Sequence, residues 1–211
     1  MENKVNFYTL GRDIAIKKKF PSKSLFSKFN SDKQLDYKSL IENIDSIYSY
    51  LVKEFEKNPE IVPLSSSWIL DNYYLINQQS SYFSETFKPK ILNKLPLSEY
   101  DDVYFQIHYI AKKYLEASVF DFSEETLIPF LKGYQKIYPL SSLELWILPT
   151  IIKYEIIKSI LDKGLEIKEK IENSKLAANI VSEISSDLDK GKNPAKGIKK
   201  VIKDISISPH V

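Results

Sequence analysis

The feature that most limits what this chain can fold into is a stripe of apolar residues at spacings of three and four. Leu40, Ile41, Ile44, Ile47, Tyr48, Leu51, Val52 and Phe55 recur with the period of an α-helix, which predicts a helix from about Tyr37 to Lys57. Asn58-Pro59 ends it, because proline has no N–H and disfavours helical geometry in the residue before it. The same period predicts helices from about Ser66 to Ser84 and from about Tyr100 to Ser118, and an amino-terminal helix around Leu10-Gly11-Arg12-Asp13-Ile14-Ala15. Beyond Lys163-Gly164 the pattern continues through Leu165, Ile167, Ile171, Leu176, Ile180, Val181, Ile184 and Leu188. Asp189 to Pro194 then reads as a turn, and Ala195 to Asp204 as a short basic helix. No segment alternates apolar and polar residues over a strand's length. The expectation is an all-α fold, a bundle or stack of helical hairpins with about seven to eight helices. Any sheet should be no larger than an incidental bridge. Residues 1–204 read as one helical module, with any subdivision falling near residue 60. Residues 205–211 read as a tail, neither capped nor strongly periodic.

Two helix starts are written into the sequence. In Ser141-Ser142-Leu143-Glu144 the serine hydroxyl and the glutamate carboxylate stand at the spacing of a reciprocal capping box, with Leu140 and Leu145 at the staple positions. At Ser123, Phe122 and Leu127 take the staple positions, and Glu124 and Glu125 favour the first turn. Pro129 and Pro149 fall inside the helices that follow and should bend them or delay their regular start. Trp68 and Trp146 both follow serine-rich helix starts at apolar-face positions, which predicts that both are buried in one core.

Composition excludes several functions. The 211 residues contain no cysteine, so disulfide, thiolate and cysteine–zinc chemistry are out. Arg12 is the sole arginine and the formal charge is only +2, which argues against a nucleic-acid module. No apolar run approaches the ~20 residues that cross a bilayer, and the first residues do not read as a secretory signal. No glycine-rich phosphate loop is present. His108 is the only internal histidine and has no ligand-spaced companion, so no metal site is expected. Asp101-Asp102 and Glu124-Glu125 stand at predicted helix starts, where acids are expected without catalysis. No catalytic residue is assigned. The basic residues Lys190, Lys192, Lys196, Lys199, Lys200 and Lys203 read as a solvated charged face, the alternative being a contact with anionic lipid or an acidic partner.

Trp68, Asp71, Asn72 and Tyr73 make one candidate binding group, in which aromatic faces would stack on a pyranose and the Asp and Asn would take its hydroxyls. The competing reading is a buried tryptophan at a helix start, with Asp71 facing the helix dipole.

Trp68 to Ile76 has the form W-x-L-D-N-(F/Y)-x-L-I. A second stretch follows with Gly133, Tyr134, Gln135, Pro139, Leu140, Ser141, Glu144, Leu145, Trp146 and Pro149. Together they resemble the amino-terminal helical region of cyclic β-1,2-glucan synthases, bacterial enzymes that polymerise glucose from UDP-glucose. The likeness covers roughly Leu64 to Leu165 and, more loosely, the helix around Gly11. It departs from the family at Gln78-Gln79-Ser80-Ser81 and Phe87-Lys88-Pro89. The resemblance implies a helical accessory or scaffold segment that precedes a membrane-embedded glycosyltransferase domain and a later phosphorylase-like domain, both too large for this chain. It implies no cofactor here, with UDP-glucose as donor for the parent enzyme. The implied partners are the downstream catalytic domains and glucan, with a place in the cytoplasm or at the cytoplasmic face of the inner membrane. Tyr134, Gln135, Ser141, Glu144 and Trp146 are then structural motif residues. The alternative is a free-standing helical module that binds carbohydrate or protein without catalysis.

Overall fold

The computed structural model describes residues 5–17, 35–100 and 103–190. They form an all-α fold. In chain order the helices are α1 (Phe7–Ile16), α2 (Tyr37–Lys57), α3 (Ser67–Thr86), α4 (Pro89–Leu92), α5 (Gln106–Ala117), α6 (Glu124–Gln135) and α7 (Ser142–Asp189). The turn and basic helix expected over 191–204 lie outside the described residues, as do the tail 205–211 and Asp101-Asp102.

The chain divides into two compact units. The first comprises Met1–Asp45 and Asn72–Leu161, the second Ser46–Asp71 and Asp162–Val211. In the first unit, α1 packs on α6. Helix α1 starts at Asn6, whose side chain accepts from the Thr9 N–H at 3.0 Å. The crossing is tight because a glycine stands on each side. A Cβ on Gly11 would lie 2.0 Å from the Phe130 carbonyl oxygen, and one on Gly133 would lie 2.0 Å from that of Tyr8. Tyr114, Phe130 and Phe7 fill the space beside it, with Tyr114 and Phe130 ring centres 5.4 Å apart. A second aromatic cluster joins α2, α3 and α7. There Phe83 and Phe87 stack at 5.4 Å, and Tyr154 meets both edge-on.

The second unit takes its buried apolar side chains, among the described residues, from Ile47, Leu51, Ile69, Ile167 and Ile171. Glu54, 5% exposed, is ion-paired with Lys175. That hydrogen bond holds the Glu54 carboxyl below the usual carboxylate range.

Three local expectations need correction. A short antiparallel hairpin, β1 (Leu97–Tyr100) with β2 (Val103–Phe105), precedes α5, so that helix starts at Gln106 rather than near Tyr100. Val103-Tyr104-Phe105 has strand propensity, but the segment is too short for alternation to show as a period. Neither proline delays its helix, since α6 and α7 begin before Pro129 and Pro149 and run past them. The carbonyls that lose a helical donor belong to Glu125 and Leu145, both exposed, where water can take the bond. The third concerns the tryptophans. Trp68 is 52% exposed and Trp146 57%, so neither is a core residue. On α7 the inward positions go to Ile147, Leu148, Ile151 and Ile152, and on α3 to Ile69, Ile76 and Phe83. Helical geometry leaves the neighbouring tryptophans pointing off those stripes.

Candidate functional site

The residues singled out by sequence fall into structural and exposed sets. Ser141 and Glu144 form the expected capping box. The Glu144 N–H donates to Ser141 Oγ at 3.3 Å, and the Ser141 N–H donates to Glu144 Oε2 at 2.9 Å. The Ser141 hydroxyl adds a bond to the same carboxylate oxygen at 2.8 Å. Glu144 is only 4% exposed, so its carboxylate is committed to the start of α7. Tyr134 is fully buried, and its hydroxyl accepts from Gln106 Nε2 at 2.8 Å. Gln135, the last residue of α6, is half-buried.

The group Trp68, Asp71, Asn72 and Tyr73 is divided between the two units. Trp68 and Asp71 are exposed on α3 within the second unit. Asn72 and Tyr73 are half-buried in the first. The Tyr73 hydroxyl donates to Asp45 Oδ1 at 2.8 Å and accepts from Asn77 Nδ2 at 3.3 Å, which ties α3 to α2.

Sequence reasoning missed a buried pair in the first unit. His108 Nε2 donates to Glu155 Oε1 at 2.6 Å, with the two side chains 5% and 9% exposed. Burial pushes the Glu155 carboxyl up, but the His108 hydrogen bond and charge, helped by Lys158 and Lys112, outweigh it and leave the group below the ordinary range. Burial also pushes the adjacent Tyr154 hydroxyl up to about 12, with Glu155 and Asp36 adding to the effect. Forty-seven residues separate His108 from Glu155, so no local spacing signals the pair. The only cue is that two polar residues fall on apolar helix faces.

The first unit also holds an open cleft of about 440 Å³ floored by Tyr37, Phe87 and Leu92. Two of its charged groups are already engaged. Asp36 Oδ1 accepts from the Ser39 N–H at 3.0 Å at the start of α2, and Lys88 is ion-paired with Glu85. No pair of carboxylates faces across it. Among the described residues no cluster of three or more His, Asp or Glu side chains is arranged to hold a metal ion. No described helix is long and apolar enough to cross a membrane.

What the molecule does present is a set of exposed rings. Tyr74 is 72% exposed, Tyr82 54% and Trp146 57%. Lys153 Nζ lies 5.0 Å from the centre of the Tyr82 ring. The fold defines the class as an all-α helical protein. Neither family models nor curated proteins give a match to the chain.

Proposed function

We propose that this chain is a helical accessory or scaffold segment of a cyclic β-1,2-glucan synthase-like glycosyltransferase, one that positions or assists catalytic domains polymerising glucose from UDP-glucose. What supports the reading is the work done by the residues that carry the likeness. Gly133, from the second of its two stretches, and Gly11, from the helix the likeness covers more loosely, let α1 and α6 cross at backbone contact. Ser141 and Glu144 cap α7. These are the tasks of a rigid scaffold, and they leave the same residues no part in chemistry. UDP-glucose belongs to the catalytic domains in this reading, and the partners are those domains and their glucan, at the cytoplasmic face of the inner membrane. A free-standing carbohydrate-binding module is the second reading, favoured by the exposed Tyr82 and Trp146.

The test supplies the chain in trans to the glycosyltransferase portion of such a synthase, with labelled UDP-glucose. The expected result is association with that portion and no transfer by the chain alone. Failure to associate removes the scaffold reading. Turnover by the isolated chain, lost on Asp71→Ala or Glu144→Ala, replaces it with an enzyme.

A further inference from the structure

The last turns of α7 carry an apolar seam. Ala177, Val181, Ile184 and Leu188 follow one another at spacings of four, three and four, so they stand in line along one side of the helix. Val181 is 63% exposed and Leu188 56%. Ala177 is exposed and Ile184 half-buried. The buried Ile167 and Ile171 lie further back on the same helix, so the seam begins where their core ends. From Leu176 to Asp189 the charged residues are Glu183, Asp187 and Asp189, with neither lysine nor arginine. The seam and all that follows it in the chain belong to the second unit.

We propose that residues 195–204 fold back on this seam and cover it as an antiparallel helix. Ile198, Val201 and Ile202 stand at the spacings of three and four that gather apolar side chains on one helix face. Gly191 and Pro194 follow directly on Asp189, the last residue of α7, and the link from Lys190 to Pro194 has the length usual between antiparallel helices. The returning helix is about 15 Å long, close to the roughly 17 Å from Ala177 to Leu188. Charge decides the occupant. The segment carries Lys196, Lys199, Lys200 and Lys203 against Asp204 alone, so it brings the sign that the acidic end of α7 lacks. A second copy docked by the same seam sets Glu183, Asp187 and Asp189 against their own kind, which is repulsive. The contact is small and partly electrostatic, so salt loosens it and bares the seam.

The experiment introduces Val181→Cys together with Ile202→Cys into the full chain, which has no cysteine of its own, so any disulfide joins the introduced pair. Under mild oxidation at low protein concentration the expected product is a monomer closed by an internal disulfide. The control pair, Asn179→Cys with Ile202→Cys, starts from the far side of α7 and should close about tenfold more slowly. A second readout keeps the side chains of the seam intact. Ile202→Asp should speed amide exchange over residues 176–188 about tenfold and leave α5 unchanged. A disulfide that joins two chains gives the seam to a second copy and overturns the proposal. Equal closure by the two cysteine pairs overturns it too, as does exchange over 176–188 that Ile202→Asp leaves unchanged.

Discussion

Gly133 shows how much one hydrogen atom decides at the residue scale. Alanine is the better helix former by about 1 kcal/mol, yet a Cβ at this position would fall 2.0 Å from the Tyr8 carbonyl oxygen, which is backbone and cannot swing aside. Overpacking of this kind costs roughly 1–3 kcal/mol and sometimes more. Gly133→Ala should therefore lower stability by about 2 kcal/mol or more, read as a lower urea midpoint; a midpoint equal to the parent's would show that α1 does not press on α6. Trp146→Ala should behave oppositely. Truncating a buried tryptophan costs about 3–5 kcal/mol, but at 57% exposure the change should stay near ~0.5 kcal/mol. The Glu155–His108 pair makes a pH prediction. Glu155 is held below its ordinary value of 4.5, so the unfolded chain binds the proton more tightly. The stability it contributes is present in full above that value and is lost as pH falls through the folded value. Glu155→Gln should flatten the fall in unfolding midpoint on acidification through this window, and an unchanged slope would assign the acid sensitivity to other carboxylates.

At the scale of single elements, one helix end is capped by its own side chains and another is strained. Helix α7 starts where Ser141 and Glu144 cap it, and Ser141→Ala should cost about 1 kcal/mol. Helix α5 ends in a Schellman turn, in which the Phe120 N–H donates to the Leu115 carbonyl at 2.9 Å and the Val119 N–H to the Glu116 carbonyl at 3.4 Å. The left-handed position usual for glycine is held by Val119, at φ 53° and 83% exposed. A β-branched residue is strained there and gives up little burial when removed. Val119→Gly should raise stability by about 1 kcal/mol in chemical denaturation. A loss would mean that the Val119 side chain has contacts worth more than the strain.

For the whole molecule, the two units differ in what holds them. The first carries both aromatic clusters, the α1–α6 crossing and the buried His108–Glu155 pair. The second draws, among the described residues, on Ile47, Leu51, Ile69, Ile167 and Ile171 and on the Glu54–Lys175 pair. Beyond Lys175, Leu176, Val181 and Leu188 of α7 are about half exposed or more. Regions with few buried apolar contacts open at lower free energy. Native-state hydrogen exchange should thus show the α7 amides beyond Lys175 exchanging well before those of α5 and of α7 between Ile147 and Ile157. Equal protection along α7 would mean that it opens only as one piece.

Sequence alone determined most of the long helices, because their signals are local. The period of Leu40 to Phe55 marks α2 from Tyr37 to Lys57, and the spacing of Ser141 and Glu144 marks the start of α7. The second unit, assembled from Ser46–Asp71 and Asp162–Val211, has no local signal, since its parts are far apart in the chain. Which face of each helix turns inward was likewise decided only in three dimensions. Trp68 and Trp146 stand beside apolar neighbours in sequence, but a 100° step per residue on a helix puts adjacent residues on different sides. The side taken inward depends on what the rest of the chain brings against it. That is why Ile147 is buried while Trp146 faces outward, and why Glu155 finds His108 across forty-seven residues.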